Sequence, residues 1–184
     1  MKTLQRLLLL TLAPLLLANQ CKKDNYDTLP PETQEGKNTF GCYVDGELFV
    51  KQKEAIMTPS RLFAEYRAND SVLLLGAHAQ NLKQDRLIYI TMEVKNPKAN
   101  TSNIILLSSF GSKKGEYACG YFIGREVGEI FFTRFDTINR IVSGRFHFPA
   151  QCANIYSSDI ISDYIVVLSD GRFDAKLDYA VNYD

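Results

Sequence analysis

From residue 39 onward the chain alternates apolar and polar positions with a period of two. In residues 87–95, Ile88, Ile90, Met92 and Val94 fall on one face, and Tyr89, Thr91, Glu93 and Lys95 on the other. Residues 172–178 set Phe173, Ala175 and Leu177 against Arg172, Asp174, Lys176 and Asp178. Within 141–148, Val142, Phe146 and Phe148 lie opposite Arg145 and His147. This pattern predicts antiparallel strands with one face in a core and one in water. Turn chemistry occupies the gaps. Asp45-Gly46 separates 39–44 from 47–50 as a two-residue hairpin signal. Asn69-Asp70 separates 61–68 from 71–79, Asn96-Pro97 ends 87–95, and 137–140 turns 129–135 into 141–148. Further strands are expected at 103–110, 116–123 and 164–169. About ten strands with regularly spaced turns predict an all-β domain over 39–184, an antiparallel β-sandwich or small β-barrel, and periodicity does not separate those two. Residues 149–163 alternate least, so they are expected to form a long connection or to contain a short helix, and to carry any specificity element.

The first twenty residues follow a different rule. Lys2 and Arg6 precede an uncharged run from Leu7 to Ala18, interrupted by Pro14 and followed by Asn19, Gln20 and Cys21. The run is too short for a transmembrane helix, which needs about 20 apolar residues. It is expected to be a lipoprotein signal peptide covering 1–20, with Cys21 lipidated by palmitate-type chains as the first mature residue. Gln20 departs from the small residue usual before such a cysteine. Residues 21–38, with Pro30-Pro31, Gly36 and many charges, are expected to be a flexible tether. The protein would then sit in the cell envelope, held at the outer membrane by lipid alone and facing either the periplasm or the surface.

Charge and cysteine content narrow the partners. The chain has 21 basic and 21 acidic residues; without 1–20 it loses Lys2 and Arg6 and no acid, so 19 basic residues face 21 acidic ones. No basic field is present to recruit nucleic acid. With Cys21 on lipid, Cys42, Cys119 and Cys152 allow at most one disulfide. If 116–123, 129–135 and 141–148 form a meander, the outer two strands lie about 9–10 Å apart, beyond the ~7 Å Cα limit. Cys42 is therefore expected to pair with Cys119 or Cys152.

Three segments together resemble a family of small envelope lipoproteins from Bacteroidota-type Gram-negative bacteria, a domain of unknown function. They are PPETQEGKNTFGCYVDGELFV (30–50), FTRFDTINRIVSGRFHF (132–148) and LSDGRFD (168–174). The resemblance implies a tethered all-β domain and no particular activity. Gly41, Gly46, Gly144 and Gly171 in these motifs suit tight connections or close backbone approach, and Phe40, Phe146 and Phe173 suit a core. Asp27-Thr28-Leu29, Asp70-Ser71-Val72 and Asp136-Thr137-Ile138 resemble the O-glycosylation acceptor of secreted proteins in the same bacteria, which marks Thr28, Ser71 and Thr137. The same dipeptides are also favoured at turns for purely structural reasons.

Catalytic chemistry has little to stand on. His78 and His147 are the only histidines, and no G-x-S-x-G occurs. His147 with Cys152 lacks zinc-site spacing, and no cofactor is expected. Two functions remain: a non-catalytic binding or interaction module for a small apolar, glycan or protein ligand, or a hydrolase with an unrecognised carboxylate site. A lined apolar cavity would favour an apolar ligand, and a cleft with two carboxylates about 5–9 Å apart would favour the hydrolase.

Overall fold

Period-two alternation becomes twelve strands in the computed structural model, which describes residues 27–51, 60–81, 86–105, 107–112, 117–120, 128–154 and 160–179. The signal peptide and Cys21 lie outside the described residues. In chain order the strands are β1 (Thr39–Val44), β2 (Glu47–Val50), β3 (Ser60–Arg67), β4 (Val72–Asn81), β5 (Arg86–Lys95) and β6 (Ser102–Ile105). They continue as β7 (Leu107–Ser112), β8 (Tyr117–Gly120), β9 (Gly128–Asp136), β10 (Ile141–Asn154), β11 (Ile160–Lys176) and β12 (Asp178–Tyr179). No helix occurs among the described residues.

Two layers form a sandwich, antiparallel throughout except where β12 joins β3. One runs β12-β3-β4-β5-β7; the other runs β6-β9-β10-β11-β1-β2. Hydrogen bonding is continuous between them, because β8 pairs with β7 on one side and with the end of β10 on the other. At another corner the chain leaves β11, and β12 adds to β3 as a two-residue parallel bridge. Leu73, Leu75, Ile90 and Met92 of the first layer are fully buried, as are Phe40, Phe132, Phe148 and Leu168 of the second. Each such side chain contributes about 1.5–3 kcal/mol by leaving water. The rings pack edge-on or tilted: Phe132–Phe173 at 6.0 Å and 80°, and Phe40–Phe146 at 5.1 Å and 31°. Tyr66 of β3 meets Phe135 of β9 across the layers at 5.2 Å and 81°.

Turn chemistry explains where the predicted strands begin and end. Asp45 and Gly46 both take positive φ, 48° and 80°, which matches the right-handed strand twist in a two-residue hairpin. The 68–71 and 137–140 turns also fall where expected. The predicted 103–110 strand divides instead into β6, which pairs β9, and β7, which pairs β5.

Two expectations are overturned at the long hairpin. Residues 149–154 and 160–163 belong to β10 and β11 and are not a long connection; Pro149 pairs with Val167, Ala150 with Val166 and Gln151 with Ile165. Residues 155–159 lie outside the described residues. Pro149 follows the register shift between Phe146 and Phe148, the kind of position where a strand tolerates proline. Likewise Asp170-Gly171 does not separate two strands. Phe146 pairs with Gly171 and Phe148 with Leu168, so Ser169 and Asp170 oppose His147 alone. That is a β-bulge, and Asp170 takes φ of 51° within it. A turn and a bulge need the same left-handed backbone, so the dipeptide does not distinguish them.

The cysteine expectation is also overturned. Cys42 is a free thiol buried in the core on β1. The meander premise fails because β8 neighbours β7 and β10, not β9.

Candidate functional site

Residues 29–38 run as an arm over the outer face of the second layer, although their composition suggests a flexible tether. Asp174 holds them. By alternation it belongs to the polar face of β11, yet it is buried, with 1 % of its surface exposed. Its Oδ2 accepts from Thr33 Oγ1 at 2.6 Å and from the backbone N–H of Glu35 and Lys37 at 3.1 Å each. Its Oδ1 accepts from Gly36 N at 2.8 Å and from Ser143 Oγ of β10 at 2.7 Å. Three successive backbone N–H groups converging on one carboxylate form an anion nest, and the positive φ of Gly36, 68°, lets the chain curl around it. Burial works to raise the Asp174 carboxyl, but the bonds from Thr33, Ser143, Lys37 and Gly36 outweigh it and hold the group below the ordinary carboxylate range.

Arginines on three adjacent strands complete the attachment. Arg134 of β9 donates to the carbonyl of Gln34 at 2.7 Å. Arg145 of β10 donates through Nε to Glu32 Oε2 at 2.7 Å, and Arg172 of β11 places its Nε 3.6 Å from Glu32 Oε1. Pro30 sits over Gly41 of β1, where a Cβ would lie 2.7 Å from the Pro30 ring and 3.1 Å from the Phe49 carbonyl oxygen. Glycine is needed there so that the arm can approach the strand. Parts of residues 30–50, 132–148 and 168–174 therefore meet in space: the arm, the Ser143–Arg145 stretch of β10 and the Gly171–Asp174 stretch of β11.

Beside the arm lies an open groove of about 450 Å³. Glu32, Arg145 and Arg172 form one wall. Phe131 and Glu129 of β9, Ser102 of β6, His147 of β10, and Ser169 and Asp170 of the bulge also line the groove. Register explains the grouping: Ser102 pairs with Phe131, Phe131 with Arg145 and Arg145 with Arg172, so one outward row crosses four strands. Glu129 pairs with His147 in the next row. Phe131 remains 38 % exposed and offers a ring face beside paired charges.

The groove's polar side chains pair with one another and with the arm. Ser102 Oγ donates to Glu129 Oε2 at 3.4 Å, so its partner is a carboxylate and not an imidazole. Glu32 forms ion pairs with Arg145 and Arg172. Cys42 lies in the core and not in the groove, and burial pushes its thiol well above the ordinary value.

The remaining predicted positions are dispersed. Thr28 is exposed at the start of the arm, Ser71 lies in the β3–β4 turn and Thr137 in the β9–β10 turn, both half-buried. Asp136, beside Thr137, has a structural task. It accepts from the backbone N–H of Ile138 at 3.1 Å and of Asn139 at 2.8 Å, and from Arg134 at 2.6 Å. The Asn139 N–H, with the Arg134 and Asn139 side chains, holds its carboxyl well below the usual range. Asp70 forms an ion pair with Arg67 at 3.2 Å. Sequence reasoning missed Glu32, Arg145, Arg172 and Asp174 as a group, because an arm that looks like a tether gives polar strand faces nothing to pair with. Comparison with protein-family models, curated proteins and solved structures gives no match.

Proposed function

We propose that this protein is a non-catalytic binding module, anchored in the cell envelope through lipid on Cys21, and that the groove beside the arm receives its ligand. The observation that carries the reading is a half-exposed Phe131 set among charges that already satisfy one another, Glu32 with Arg145 and Arg172. Such a surface offers hydrogen bonds in fixed directions and an apolar ring without a large net field. That suits an uncharged polyhydroxylated ligand, which makes a glycan the best-supported partner of those expected. A small apolar ligand would need an enclosed pocket, whereas this groove is open and the described core is filled by rings and aliphatic side chains.

The test is binding of a panel of neutral and acidic oligosaccharides to the full-length protein, measured by calorimetry. Saturable binding to neutral members, weakened at least tenfold by Phe131→Ala and by Arg145→Ala, is expected. Absence of binding across the panel, or binding indifferent to both substitutions, would contradict the assignment of the groove.

A further inference from the structure

The β8–β10 ladder sets Cys119 directly opposite Cys152, with Ala118 opposite Ala153 and Tyr117 opposite Asn154. Paired residues on antiparallel strands have Cα atoms about 4.5–5.5 Å apart. A disulfide closes without backbone movement at Cα separations of about 4.4–6.8 Å. We propose that Cys119 and Cys152 form a cross-strand disulfide fastening β8 to β10.

The rest of the fold points the same way. Cys42 sits on β1 opposite Phe49 of β2, and among the described residues β1 neighbours only β2 and β11. Cys152 lies at the register shift between Gln151 and Ala153, so its cross-strand partner is on β8 and not on β11. β8 has four residues and carries the hydrogen bonding from one layer to the other. Three paired residues on each side are a short ladder for that junction, and a covalent link there would secure it.

Formation is a dithiol–disulfide exchange. The thiolate of one cysteine attacks an oxidising protein or small-molecule disulfide and expels one thiolate, leaving a mixed disulfide. The second cysteine's thiolate then attacks the first cysteine's sulfur and expels the other half. The pair loses two protons and two electrons, and the oxidant is reduced to two thiols. Export, as proposed above, would supply such oxidants; the strand register is independent of it.

Tryptic mapping of the full chain, equilibrated with oxidised glutathione and alkylated in denaturant without reduction, decides the matter. Cleavage places Cys42, Cys119 and Cys152 on separate peptides, 38–51, 115–125 and 146–172. The expected result is peptide 115–125 joined to 146–172, the join lost on reduction, with Cys42 alkylated. Alkylation of Cys119 and Cys152, glutathione capping of either alone, or a join through Cys42 would overturn the proposal.

Discussion

Asp174 illustrates how one side chain decides where this domain begins. Five donors meet its two oxygens, three of them backbone N–H groups of the arm. Asp174→Ala would leave those donors without their acceptor, and should cost about 2–4 kcal/mol in urea unfolding while exposing residues 29–38 to proteolysis. The acid response follows from the lowered carboxyl. In the folded chain Asp174 stays charged at pH values where the unfolded chain binds a proton, so its stabilisation is complete above about pH 4 and disappears as pH falls through the lower folded value. Wild type should therefore lose stability on acidification more steeply than Asp174→Asn. Equal slopes would show that the carboxylate does not anchor the arm. The alternation of 172–178 identified the buried Phe173, Ala175 and Leu177 correctly. It placed Asp174 in water because the period shows only which face a residue occupies, not what later covers that face.

At the scale of elements, β10 and β11 form the spine of the molecule, 14 and 17 residues paired along most of their length. The inner face of β10 carries Val142, Phe146, Phe148 and Ala150, all buried, while Arg145 and His147 face out. That much was legible in the sequence, as were the Asp45-Gly46 hairpin and the 137–140 turn. The 149–163 segment was not. Pro149 and two register shifts broke the alternation, and broken alternation in a bulged strand looks like a loop. Replacing 149–163 with a short turn should consequently unfold or severely destabilise the protein, since it removes the β10 end that pairs with β8 and part of β11. Phe148→Ala, by creating a cavity in the same strand, should cost about 3–5 kcal/mol. Circular dichroism with denaturant titration reads both; a replacement variant retaining near-native stability would show that this part of the hairpin is dispensable.

For the whole molecule, the arm links the proposed anchor to the proposed binding face. A chain leaving the membrane at Cys21 would reach the sheet within about ten residues, and Glu32 would become both a point of attachment and a wall of the groove. The lipid half of this account predicts that wild type from the native host partitions into detergent, and that Cys21→Ala partitions into water; equal partitioning would exclude a lipid anchor there. The other half depends on the arm being part of the folded domain. Amide hydrogen exchange of the full chain at neutral pH measures that directly. The account predicts that the N–H groups of Glu35, Gly36 and Lys37 are protected to a degree comparable with the strands beneath them, and that Asp174→Ala abolishes this protection. Exchange of all three at the rate of an unstructured chain in wild type would contradict it.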